Sequence, residues 1–101
     1  MSFEPEIRDG LVIGHSFRTE YAYFFFGTKH FEKERHSAYF PHYRFAYLKQ
    51  VHGQTILAAD PDKLLEADGQ YTAKRGLALV SQTADCTPVL LANKDLACAV
   101  H

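Results

Sequence analysis

Short apolar runs and two-residue alternation dominate this chain. Residues 11–17 and 21–26 predict strands, the second an unbroken apolar run that stops at Gly27. The charged stretch 29–39 predicts a helix that closes before Pro41. Residues 45–51 alternate into a strand that Gly53 turns, and 55–59 predict a further short strand. Asp60-Pro61 has the form of an N-cap followed by proline at the first helical position, which opens a short helix over 62–66. Asp68-Gly69 is a turn signal, and 77–81, Val89–Ala92 and 96–100 complete a strand-rich second half. No repeat or linker interrupts the pattern, so one α+β unit is expected.

The residues between the last two strands connect this pattern to chemistry. Asn93-Lys94-Asp95 separates them by two or three positions, a hairpin signal. With a two-residue loop, Ala92 faces Asp95 and Cys86 comes opposite His101; with three residues they become near-diagonal neighbours. Either register puts their Cβ atoms roughly 5–8 Å apart, within reach of one metal ion with ligand bonds of about 2.0–2.3 Å. Pro88 has no N–H and requires an edge or a bulge, which loosens that register.

His52 sits where a strand leaves the sheet, a position that suits a ligand but also an ordinary surface or core histidine. Cys86 lies among polar, turn-prone residues, Thr83-Ala84-Asp85 before it and Thr87-Pro88 after it, which fits a chemically used thiol. Cys98, between Ala97 and Ala99, fits a core position. Asp85 either orients a metal ligand or caps a turn. Lys29, directly after Gly27-Thr28, is either a cation at a pocket or a plain surface lysine. His30, His36 and His42 recur every six residues, a spacing that shares no helical face, so a solvated charged segment is expected there.

Composition narrows the classes. Eleven basic against twelve acidic residues leave a net charge of −1, without the basic excess of a nucleic-acid binder. No apolar run approaches the roughly 20 residues that span a bilayer, and the polar start MSFEPEIRDG is not a secretory signal. A cytoplasmic globular protein with both cysteines reduced is expected. Walker, G-x-G-x-x-G and G-x-S-x-G loops are all missing from the sequence.

Five segments carry a family resemblance: Leu48-Lys49-Gln50-Val51-His52-Gly53, Ala67-Asp68-Gly69, Gly76-Leu77-Ala78-Leu79, the run from Thr83-Ala84-Asp85-Cys86-Thr87-Pro88 to Leu91, and Ala99-Val100-His101. In order and spacing they resemble the multicopper polyphenol oxidoreductase (laccase-like) family. That family is also described as purine nucleoside phosphorylases related to laccase domain-containing proteins and peptidoglycan editing factors. The resemblance implies that His52, Cys86 and His101 ligate a metal, zinc or alternatively copper, with Cys86, His101 and Lys29 in catalytic roles and Gln50 and Asp85 supporting the ligands. It implies phosphorolysis of purine nucleosides such as adenosine, inosine or methylthioadenosine, with phosphate as co-substrate, and deamination of adenosine. The implied fold is a mixed-sheet α/β sandwich similar to the catalytic domain of cysteine-dependent toxins.

Two departures qualify the resemblance. The family's histidine at the position of His101 is followed by A-G-W-R-G and a long further stretch, so residues 1–101 are expected to be the N-terminal portion of a single domain, truncated after His101. The usual T-R-x-G-G-x-S signature is missing, and Lys29 stands where the arginine is expected, keeping the charge but not the bidentate fork. Three other functions remain: a Cys–His hydrolase or peptidoglycan-precursor editing enzyme using Cys86 as nucleophile, an inactive metal-binding fragment, and a copper-dependent polyphenol oxidase. The last is least favoured, because it needs several copper ions and more histidines than the six present.

Overall fold

The computed structural model describes residues 3–82 and 88–100. The first three strands, β1 (Glu4–Arg8), β2 (Leu11–Arg18) and β3 (Tyr23–Gly27), form an antiparallel sheet in that order. Asp9 and Gly10 join β1 to β2 with φ of 53° and 77°. That pair of left-handed residues makes a two-residue hairpin turn whose twist matches the strands. Pro5 is tolerated because β1 is an edge strand. Gly14 lies under the Phe25 ring so closely that a Cβ would stand 2.2 Å from a ring carbon.

The expected helix over 29–39 shrinks to a 3-10 turn, Lys33–Arg35, and a single-turn α1, His36–Tyr39, neither with a side-chain cap. Residues 28–31 are diverted into a turn bound to β2: Thr28 Oγ1 donates to Val12 O, Thr28 N–H to Ile13 O, and Phe31 N–H back to Thr28 O. Aromatic packing does the rest. Phe31 stacks on His36 with ring centroids 4.1 Å apart, and Phe25 and Phe40 close around it. His36 is thus 6% exposed, not part of a solvated face as its six-residue spacing suggested.

In the second half the expected strand 45–51 divides into β4 (Arg44–Ala46) and β5 (Leu48–Lys49). β6 (Ile56–Ala58) follows. The helix expected over 62–66 does not form. Asp60 Oδ1 accepts the Asp62 N–H, Asp60 O accepts the Lys63 N–H, and Arg44 pairs with Asp62, which together fix a turn. Leu65–Glu66 is instead β7, parallel to β5. β8 (Gly69–Thr72) is parallel to β6, and β9 (Leu77–Leu79) is parallel to β4.

The last strands, β10 (Val89–Ala92) and β11 (Ala97–Val100), complete a four-stranded sheet ordered β10-β11-β8-β6. Their hairpin is wider than expected: Ala92 faces Ala97 rather than Asp95, two positions further out. The cause is Asn93, whose Oδ1 accepts the N–H groups of Asp95 and Leu96 while its own N–H donates to Leu96 O. Gln70, fully buried in β8, donates through Nε2 to Ala46 O (2.8 Å) and Val80 O (3.2 Å), tying this sheet to the ends of β4 and β9. The result is a mixed α+β fold built mainly of strands, with one short α-helix among the described residues.

Candidate metal centre

β5 ends in a tight bend at Val51-His52-Gly53. His52 is exposed and has φ of 58°, left-handed backbone that costs a non-glycine residue roughly 1–2 kcal/mol. The bend closes on Asp68, which is 4% exposed. Its Oδ1 accepts the N–H groups of Val51 (3.0 Å) and His52 (2.9 Å), and its Oδ2 accepts that of Gly53 (2.5 Å). The chain enters this position because Ala67 N–H donates to Lys49 O, prolonging the β5–β7 pairing, and both Asp68 and Gly69 N–H donate to Thr55 O. A carboxylate taken out of water needs such donors, and it satisfies three amides that would otherwise leave the ladder unpaired.

Gln50 makes a second polar clasp. Its Nε2 donates to Gln82 O (2.7 Å) and its Oε1 accepts the Gln82 N–H (2.8 Å), so one side-chain amide mimics a strand partner. The clasp fastens the residue that leads into 83–87 beside the strand end that carries His52. From the other side, Val89 pairs with Val100, and Val100 pairs with Gly69, the neighbour of Asp68. Gln82 is thus tied to the strand end that leads to His52, and Val100 is paired with the strand that follows Asp68.

Cys86, His101 and Asp85 themselves lie outside the described residues, and the expected facing of Cys86 and His101 falls there too. Among the described residues no three His, Cys, Asp or Glu side chains are grouped to hold a metal ion. The donor chemistry of the expected set, two imidazoles and one thiolate, suits a tetrahedral zinc ion with one open position; His₂Cys sets also hold copper. Lys29 is exposed in the turn that follows β3. Cys98 is a half-buried free thiol in β11, opposite Leu91 and Tyr71. His36 is enclosed among Phe31, Phe45 and Tyr47, and burial is the main cause that lowers its pKa below the ordinary histidine value.

Sequence reasoning took Asp68 only as half of a turn. The signal that pointed further was its place between two strands, three residues after Leu65 and directly before a glycine that pairs on both sides.

Residues 28–101 match the family described as multi-copper polyphenol oxidoreductase laccase. The chain belongs to this family. The laccase-family match takes in Lys29, Gln50, His52, Asp85, Cys86 and His101. Similar proteins include a purine nucleoside phosphorylase of Pseudomonas aeruginosa, 43% identical over 51 residues, which cover 50% of this chain and 21% of that protein. One from Rickettsia conorii is 45% identical over 65 residues, 62% of this chain and 27% of that protein. One from Clostridium acetobutylicum is 48% identical over 58 residues, 54% of this chain and 25% of its own length. The chain thus spans about a quarter of the length of these curated relatives. No solved structure matches it significantly. Among the described residues no helix is long and apolar enough to cross a membrane.

Proposed function

We propose that this chain carries the metal-binding portion of a zinc-dependent purine nucleoside phosphorylase that also deaminates adenosine, with His52, Cys86 and His101 as ligands. In this reading residues 1–101 belong to one laccase-like domain of the mixed α/β sandwich type similar to the toxin catalytic domain. The observation that carries it is the polar frame at the end of β5. Asp68 and Gln50 fasten His52 and Gln82, and the β8–β11–β10 ladder pairs Val100 with Gly69, the neighbour of Asp68, and Val89 with Val100. The names of the relatives above support the choice of reaction.

In phosphorolysis a phosphate oxygen bonds to the ribose anomeric carbon, the bond from that carbon to the purine nitrogen breaks, and the base leaves with a proton. In deamination water adds at the amino-bearing ring carbon and ammonia departs. When bound, zinc would supply Lewis acidity that lowers the pKa of a water molecule toward about 7. The chain's own contributions are geometric and electrostatic. His52 is held at an exposed position on a bend whose backbone amides are bonded to Asp68. Gln50 limits the freedom of the chain leading to Cys86, and Asp85 next to that cysteine is proposed to orient it. Lys29 supplies the positive charge proposed for phosphate. Nucleoside and phosphate are the proposed substrates, and the cytoplasm the proposed compartment.

The test is metal content per chain, measured together with release of hypoxanthine from inosine and phosphate. The intact protein should hold close to one zinc ion, and Cys86→Ala should lose both the ion and the release. Full zinc occupancy and full turnover in Cys86→Ala would overturn the assignment.

A further inference from the structure

The sharpest unexplained feature of the described residues is the placing of the left-handed residue in the Val51–Gly53 bend. A bend built for economy gives positive φ to glycine, and glycine is present at position 53, yet the strained position falls on His52. Gly53 serves a different purpose: a Cβ there would stand 3.2 Å from Asp68 Oδ2, so its lack of a side chain lets the carboxylate reach three successive amides. Asp68 is anchored in turn by the ladder. Its N–H and that of Gly69 both donate to Thr55 O, and Gly69 pairs with Ile56 on one side and Val100 on the other. The same carboxylate-bearing segment thus touches the backbone of His52 and pairs with the immediate neighbour of His101.

From this we propose that Asp68 is the positioning residue for His52, holding its backbone left-handed and thereby fixing where its imidazole stands. With the metal reading above, on which this second part rests, Asp68 thereby sets metal affinity without being a ligand. The pull of the buried carboxylate on three amides is what keeps an energetically unfavourable φ populated, and a ligand whose direction is fixed loses less freedom when the metal binds. Removing such supporting partners typically lowers metal affinity by about 10–100-fold.

The experiment has two readouts. Three-bond couplings of the His52 amide in the intact chain report the sign of φ: wild type should show the left-handed pattern and Asp68→Asn should lose it. Retention of that pattern in Asp68→Asn overturns the proposal, whatever the metal does. Zinc titrations on wild type, Asp68→Asn, His52→Ala and the double variant then separate positioning from general support. Asp68→Asn should weaken zinc about 10–100-fold when His52 is present and change nothing further beside His52→Ala. An equal loss in both backgrounds shows a merely structural role and overturns it. If Asp68→Asn does not fold, Asp68→Glu, which keeps the charge and shifts the carboxylate by one methylene, replaces it in the same cycle with the same deciding outcomes. Zinc affinity indifferent to His52→Ala sinks the metal reading, while the coupling measurement still decides what Asp68 does to His52.

Discussion

Replacing Gln50 by alanine should free the Gln82 backbone while leaving the sheets intact. The substitution deletes two hydrogen bonds, Gln50 Nε2 to Gln82 O at 2.7 Å and Gln82 N–H to Gln50 Oε1 at 2.8 Å. A neutral intramolecular hydrogen bond contributes about 0.5–1.5 kcal/mol net. Gln50 is only half-buried, so water reaches both Gln82 groups once the amide is gone. The pair is therefore worth the lower part of the range, about 1–1.5 kcal/mol in all, or close to a factor of ten in the local opening equilibrium. Amide hydrogen exchange at Gln82 reads this directly and should accelerate about tenfold. The amides of Gln70 and Ala99, paired across the β8–β11 ladder, should keep their wild-type rates. Zinc affinity should fall by at most the same factor, because it follows the fraction of time for which the ligand-bearing segment is competent, and that fraction drops tenfold only where the open state comes to dominate. Unchanged exchange at Gln82 would refute the clasp, and a uniform acceleration through the sheet would show that Gln50 supports the whole fold instead.

Two further outcomes test the packing around the site. Burial lowers the pKa of His36, aided by Lys33 and opposed by the Phe31 carbonyl and Glu34, so the unfolded chain takes up the proton first. The stability due to neutral His36 is fully present above the ordinary value of 6.5 and is lost as pH falls below it toward the lowered folded pKa. Urea midpoints measured from pH 8 to 5 should decline across that window, and His36→Phe should flatten the decline; an unaltered slope would refute the assignment. Gln70→Leu loses two hydrogen bonds but also removes Oε1, which is buried without a partner among the described residues, so it should cost about 1–2 kcal/mol. Gln70→Ala adds a cavity and should cost about 2–4 kcal/mol, so urea midpoints in the reverse order would contradict the geometry.

Where a segment's partners lie nearby or its side chains are uniformly apolar, the sequence was legible. The runs that end at Gly27 and at Val100 and the strand Val89–Ala92 appear close to their expected bounds. β1 was hidden because Glu4–Arg8 carries three charges and a proline, although Asp9-Gly10 is a strong hairpin signal. β8 was hidden because its inward residue at the centre is Gln70, a polar side chain satisfied only by carbonyls from β4 and from the residue after β9. The helix over 62–66 gives way to a single turn held by Asp60 and by the Arg44–Asp62 pair, after which Leu65–Glu66 pairs with β5. For the site, His52 at a strand end was readable, whereas its dependence on Asp68 joins positions sixteen apart and leaves no periodic trace.

His52 stands just past a place where a ladder stops. β5 ends three residues before His52. Beyond a ladder's end backbone amides need other partners, and at β5 those partners are side chains, Asp68 for Val51 to Gly53 and Gln50 for Gln82. Side-chain clasps on half-exposed backbone open with a smaller free energy than the sheet they extend. Their loss therefore reaches the ligand segments before it reaches the core. Under the proposed metal reading that separation makes metal affinity more sensitive to Gln50 than global stability is, and it gives Gln70, deep in β8, the opposite ranking: a large cost in unfolding and a small one in the local freedom of Gln82.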